Sequence, residues 1–288
     1  MEKEHHGFLY GLLAAFSSAI CALFIKLAAS VPNETMVFVR FFISLLFVLP
    51  ATFLGRVVVH PKLFAKHIAR GLTGIAGIYC YFYSVKYLPL VDAVTISNTS
   101  PLFMPLVVFL WLKLVIPKSR IGALCIGFIG ILAVLHPTAQ TVEWVMLIGL
   151  LGGLFSAIAQ VGIRQLSKTE STETIMTYYF IISTIVAFPP MIFAWKPIDQ
   201  PILWVYLFCI AITSLAFQYF LVKSLTHAPA TKVSTMTYLG VVFSGFLGWW
   251  FFHEIPKVWE LVGIGLIVAG GLLALFSNEP PRKREGYE

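Results

Sequence analysis

Ten apolar runs, each near the length that crosses a bilayer, follow one another along almost the whole chain. They occupy about 8–29, 34–54, 68–88, 91–112, 120–136, 142–163, 173–195, 201–223, 230–252 and 258–277. A helix needs roughly 20 mostly apolar residues to span the hydrocarbon core. A chain patterned in this way therefore folds as an all-α polytopic membrane protein with ten transmembrane helices. The fifth run is the shortest, and the connections are short, the longest lying around 55–67, so nothing is left for a soluble domain. The first run is too long for the apolar core of a signal peptide and recurs later in the chain, so it reads as mature structure. Only 11% of the 288 residues are charged and 59% are hydrophobic. A soluble enzyme carries about 25% charged residues, and a disordered chain has low hydrophobicity, so both classes are excluded.

The basic residues orient the spans. One set of helix ends holds Lys3, the cluster from Arg56 to Arg70, Lys113, Lys118 and Arg120, Arg164 and Lys168, Lys223 and Lys232, and Arg282 to Arg284. The opposite ends hold Lys86, Lys196 and Lys257, with Lys26 and Arg40 inside spans. Cytoplasmic ends collect Lys and Arg, which places both termini in the cytoplasm. The net charge of +7 is accounted for by these edges and is no footprint of nucleic acid. Cys21, Cys80, Cys125 and Cys209 stand alone in apolar stretches, which points to neither a disulfide framework nor a metal centre.

The chain repeats itself at a shift of 138 to 140 residues. Ser18-Ala19-Ile20 and Ile25-Lys26 return as Ser156-Ala157-Ile158 and Ile163-Arg164. Glu34-Thr35 returns as Glu173-Thr174, Pro50 as Pro189, Pro89 as Pro229, and Gly130 as Gly270. This divides the chain into 1–138 and 139–277, five helices each, with a tail at 278–288. An odd number of spans turns the second unit upside down relative to the first. Inverted repeats provide two nearly equivalent arrangements, each open to one side, with the solute held near the midplane where the units meet.

Several short blocks carry a family resemblance. They are Phe38-Val39-Arg40-Phe41-Phe42, Arg70-Gly71-Leu72, Tyr87-Leu88-Pro89, Ser100-Pro101-Leu102-Phe103, and the glycine patterns Ala123…Gly127…Gly130 and Gly263…Gly270. With them the chain resembles the drug/metabolite transporter superfamily, EamA type, over nearly its whole length. The resemblance implies a carrier of amino acids, nucleotide-like metabolites, S-adenosylmethionine, amines or drugs. The arginine-containing and Ser-Pro blocks look most like bacterial S-adenosylmethionine-uptake carriers. In one respect the chain departs from the family: the Gly-Glu that often follows the fourth helix of each repeat has its acid at Glu254 in the second copy but Leu114 in the first.

Polar groups within a bilayer are costly and face an interior or a watery cavity. Ser18 and Lys26 share one face of the first helix, and Ser156, Gln160 and Arg164 share the matching face of the sixth. Both faces are expected to line a central cavity with Lys26 and Arg164 at its mouths; the bland account is that the two cations snorkel to the headgroups. Tyr79 and Tyr83, on one face of the third helix with Lys86, are expected on the same cavity, as is Gln218, one turn beyond Ser214 in the eighth. In the fourth helix Asn98, Pro101 and Pro105, and in the ninth Tyr238 and Gly245, mark interrupted segments at corresponding places. Such breaks free backbone groups for a ligand. Arg40 is expected to pair with Asp92 or Glu34, or Asp92 serves as a coupling carboxylate.

These residues suit a small amphipathic organic solute and call for no cofactor. A membrane enzyme would need a reactive constellation, but His253-Glu254 lacks the second His of HExxH and no GxSxG occurs. A channel would show a ring of filter residues, and an interaction scaffold would give no saturable flux. The small-residue face Gly263…Gly270 packs either within the chain or between two copies in a homodimer.

Overall fold

Helices form where the apolar runs fall. The computed structural model describes residues 2–54, 57, 61–112, 114–115, 122, 125–130, 133, 140–255, 257–276 and 282–283. In the first half, α1 runs Glu2–Leu27, α2 Asn33–Phe53 and α3 Phe64–Tyr87. The fourth run is two helices, α4 (Leu90–Ser97) and α5 (Ser100–Leu112). Of the fifth run only 125–130 and two single residues are described, the stretch being helical. Most of that run, Arg56, Lys113, Lys118, Arg120, Ala123 and most of the 278–288 tail lie outside the described residues. In the second half come α6 (Gln140–Leu166), α7 (Thr172–Ala194), α8 (Pro201–His227), α9 (Ala230–Phe252) and α10 (Val258–Phe276). A two-residue antiparallel ladder ties Leu114-Val115 to Arg282-Lys283.

Seven of these segments are long and apolar enough to cross a membrane, counting α4 and α5 as one. The helix α3 is not among them, since it carries Lys66, Arg70, Lys86 and four tyrosines. Its polar face is directed inward: Arg70, Gly74 and Gly77 are buried, whereas Leu72 is exposed at the rim.

The same turn closes corresponding helices of the two halves. Leu88 N–H bonds to the Ser84 carbonyl, and Ala228 N–H bonds to the Ser224 carbonyl, both at 2.9 Å. Pro89 and Pro229 follow with ψ of 145° and 146°. Proline drives the residue before it into extended backbone, and Leu88 and Ala228 have ψ of 163° and 155°. Each helix is therefore stopped and the next begun within two residues.

The halves are joined by exchange of partners. The main neighbour of α1 is α8, the main neighbour of α3 is α6, and α2 packs on α7. Where α3 crosses α6, Gly77 and Gly152 face one another, each leaving room for the other's backbone carbonyl 3.6 Å from where a Cβ would stand. Direction follows from the end contacts. The Ser224 hydroxyl near the end of α8 donates to the Gly7 carbonyl near the start of α1 at 2.7 Å. Lys26, at the end of α1, reaches the ends of α3 and α9, whereas Arg164, near the end of α6, reaches the end of α8. Thus α1 and α6 finish at opposite ends of the bundle. The glycine face of α10 is used within the chain: a Cβ on Gly130 would stand 2.7 Å from the Gly263 carbonyl oxygen and from Ile267 N.

Candidate functional site

The interruption in the fourth run lies at the heart of the bundle. Asn98 N–H still bonds to the Val94 carbonyl at 2.9 Å, but Thr99 N–H turns to Ile96 at 3.3 Å, and the helix restarts at Ser100. Pro101 has no N–H to give, so the ladder cannot run through. The break thus sits one turn ahead of where the prolines stand. Contrary to expectation, α5 continues through Pro105 and α9 through Gly245 without interruption. A Cβ at Gly245 would lie 3.6 Å from Val91, so this glycine serves the packing of α9 on α4.

Ser97 and Asn98 at the break open onto an interior cavity of about 90 Å³. The first half supplies Ser18 and Cys21 from α1, Arg40 from α2, and Arg70, Gly74, Gly77 and Tyr81 from α3. The second half supplies Ser156 and Gln160 from α6, Tyr179 from α7, and Ser214 and Gln218 from α8. Ligand pockets for drug-sized molecules measure roughly 300–1,000 Å³, several times this volume.

Its polar wall is partly tied and partly open. Gln160 Nε2 donates to Ser100 Oγ at 3.2 Å and Ser156 Oγ at 3.1 Å, while its Oε1 is buried without a donor. Cys21 Sγ and Ser214 Oγ are 3.1 Å apart, and the Tyr81 hydroxyl donates to the Ser18 carbonyl at 3.4 Å. Gln218 Nε2 and Ser97 Oγ are buried with no partner among the described residues.

Two arginines dominate the electrostatics. Arg40 is 1% exposed and Arg70 3%. The Arg40 guanidinium lies 4.9 Å from the ring centre of Phe41 and 5.5 Å from that of Phe82. The Arg70 guanidinium lies 3.7 Å from the ring centre of Tyr179. Phe41 and Tyr179 meet edge to face at 5.3 Å, so one aromatic pair carries both cations. Gly74 makes this possible, since a Cβ there would overlap Arg70 Nη1 and come within 2.8 Å of Tyr179. Neither arginine has a carboxylate within ion-pair distance among the described residues. The expected pairing of Arg40 with Asp92 or Glu34 is therefore absent, because Arg40 turns to the cavity while Asp92 is buried in the first turn of α4.

Ser18, Asn98, Ser156, Gln160 and Gln218 are brought together on this cavity. Three tyrosines are not. Tyr79 and Tyr83 lie off its wall, Tyr83 packing on Tyr87 with ring centres 4.7 Å apart, and the face of α3 that meets the cavity is that of Arg70, Gly74, Gly77 and Tyr81. Tyr238 is buried, also off the wall. Arg70, Tyr81 and Tyr179 went unselected in sequence. Arg70 reads as an edge charge, but α3 begins at Phe64, which puts Arg70 about 9 Å along the helix. The signal for that face is the spacing Arg70, Gly74, Gly77, Tyr81.

The ends of the bundle differ. Lys26 is paired with Glu254 and donates to the Leu88 carbonyl at 2.9 Å. The second oxygen of Glu254 accepts from Leu90 N–H at 2.6 Å, so one acid fastens α1, α4 and the end of α9. Lys26 is therefore tied to protein groups at this end of the bundle. At the other end Arg164 donates to the carbonyls of Leu225 and Thr226 at 2.7 and 3.0 Å.

The sequence model of the EamA-like transporter family matches residues 5–136 and again 143–276. Among curated proteins, the pseudopaline exporter CntI of Pseudomonas aeruginosa is 31% identical, covering 93% of this chain and 95% of its own. The riboflavin transporter of Vibrio cholerae is 24% identical, covering 93% of each chain. An S-adenosylmethionine uptake transporter of Rickettsia bellii is also 24% identical, covering 94% and 93%. A solved crystal structure with 16% identity superposes with a TM-score of 0.69 over 93% of this chain and 96% of that one, which bears on the fold alone.

Proposed function

This chain belongs to the EamA-like transporter family, and from that premise we propose that it is a secondary carrier of a small organic metabolite working by alternating access. The two five-helix units are inverted repeats, both termini face the cytoplasm, and the membrane is a bacterial inner membrane. The Lys26–Glu254 end is then periplasmic and the Arg164 end cytoplasmic. The observation that carries this reading is the central cavity to whose wall both units bring polar side chains, with a separate set of contacts at each end. A carrier needs a central site that neither side reaches at once.

The solute is an amphipathic metabolite held by the amides, hydroxyls and rings of the cavity. Ser18, Asn98, Ser156, Gln160 and Gln218 serve as its polar contacts. The relatives named for riboflavin, S-adenosylmethionine and pseudopaline support a solute of metabolite size and leave uptake and export equally open, since both use the same two states. An exporter of amino acids or drugs on the same fold is the second reading.

The test is counterflow in proteoliposomes loaded with candidate metabolites. Saturable exchange weakened about tenfold by Gln160→Leu, the loss typical of buried hydrogen bonds, supports the reading. Flux that rises linearly with concentration, or none for any metabolite that raises the melting temperature of the purified protein, favours a channel or a scaffold.

A further inference from the structure

We infer that Arg40 and Arg70 together form an anion-binding subsite for the two acidic groups of a doubly negative organic solute, such as a dicarboxylate. The inference rests on the carrier reading above and narrows its substrate class. A guanidinium stays protonated in proteins, and burying an ionised group without a counter-charge costs several kcal/mol even after relaxation. Both arginines are almost wholly buried, both line one cavity, and no Asp or Glu lines it with them. Neither finds an acid elsewhere among the described residues. The missing counter-charge is supplied by what binds there.

Each guanidinium lies over aromatic rings, Arg40 over Phe41 and Phe82 and Arg70 over Tyr179, and a ring face does not neutralise it. Three of their N–H atoms (Nε of Arg40, Nε and Nη1 of Arg70) are buried without an acceptor among the described residues. An in-plane fork of donors is the geometry that carboxylates fill with paired hydrogen bonds. Two guanidinium groups on one cavity match two acidic groups. The same pair repels a sulfonium, which moves the substrate away from S-adenosylmethionine. Gln160 Oε1, buried and lacking a donor on the same cavity, takes an amine or amide hydrogen of the solute.

The test compares the full-length protein with Arg40→Gln and Arg70→Gln in detergent and in proteoliposomes, using citrate and L-glutamate as probes and L-glutamine and S-adenosylmethionine as controls. Citrate and L-glutamate, each with at least two carboxylates, should raise the melting temperature of the wild type, and the controls should not. Each variant should weaken their binding by about tenfold to a hundredfold, the loss expected for a charged hydrogen-bonded partner. With no ligand present, each variant should melt at the wild-type temperature or above it, because an unpaired buried charge has gone. Variants that melt lower while binding citrate unchanged would show the arginines to be packing elements and overturn the inference. Saturable exchange of L-glutamine or S-adenosylmethionine, indifferent to citrate and to both substitutions, would also overturn it and leave the carrier reading standing. Citrate binding that depends on both arginines, with no exchange of any solute, would sink the carrier reading and keep the subsite.

Discussion

Lys26 and Arg164 occupy matching places in the two halves, yet they close the bundle by different means. Lys26 meets a carboxylate, Glu254, which also accepts from the first turn of α4. Among the described residues, Arg164 meets the last carbonyls of α8. The sequence shift supplies the reason. The residue that corresponds to Glu254 in the first half is Leu114, so the second mouth has no acid at the place where the first has one. Arg164 takes what a helix C-terminus offers instead, the partial negative charge of unpaired carbonyls. One substitution between repeats is thus enough to make two related ends unequal. At the Lys26 end the ion pair reaches three helices, while Arg164 itself meets neutral acceptors, close to the Ser224–Gly7 bond.

The comparison breaks most visibly at Glu254. Glu254→Gln leaves the Lys26 ammonium partly buried with only the Leu88 carbonyl. It should cost the closed end on the order of 2 kcal/mol, below the full penalty for a wholly buried pair. In a protein whose sole thiol is Cys21, on the cavity wall, an impermeant maleimide added at the Lys26 side should react at least about tenfold faster, the ratio about 1.4 kcal/mol gives. Unchanged labelling would show that the pair does not hold that end. The charge reversal Lys26→Glu with Glu254→Lys should then recover part of the closure. It restores the attraction but leaves Leu90 N–H without its acceptor, so labelling should fall between wild type and Glu254→Gln.

At the other end the effects should be smaller. Arg164→Ala removes two hydrogen bonds from a half-buried side chain, about 1 kcal/mol, and should speed labelling from the Arg164 side about threefold to fivefold. A larger response than that of Glu254→Gln would reverse the ranking of the two ends. Ser224→Ala, which deletes one buried bond to the Gly7 carbonyl, should lower the melting temperature by only a degree or two, the shift expected of roughly 0.5–1 kcal/mol in a chain this long. A drop several times greater would make the α1–α8 contact the main fastening of that end.

Much of this architecture was legible before any coordinates. Apolar length located the described helices to within a few residues at most ends, and α2, for example, spans Asn33–Phe53 where the sequence suggests 34–54. Pro101 announced a break, since a missing N–H is a local fact of covalent structure. The choice of face in α3 was less legible. Tyr79 and Tyr83 make as good a polar stripe as Arg70 and Tyr81, and the helical period does not say which stripe looks inward. Arg70 was disguised by its place near a helix start, where a cation ordinarily meets headgroups. The partner of Lys26 was hidden for another reason: Glu254 lies 228 residues away, and nothing local to either residue signals the other.

The two arginines on the cavity wall also bear on how the protein turns over. A carrier must pass through a closed state on every crossing, and with the site empty that state encloses two cations that nothing neutralises. The return journey without cargo is then the steep one, and the return journey with a second anion aboard is the easy one. On the reading proposed above, a carrier of this kind would swap one solute for another more readily than return empty, its unidirectional rate set by what waits on the far side. Flux from one face should therefore quicken when anion is added to the other.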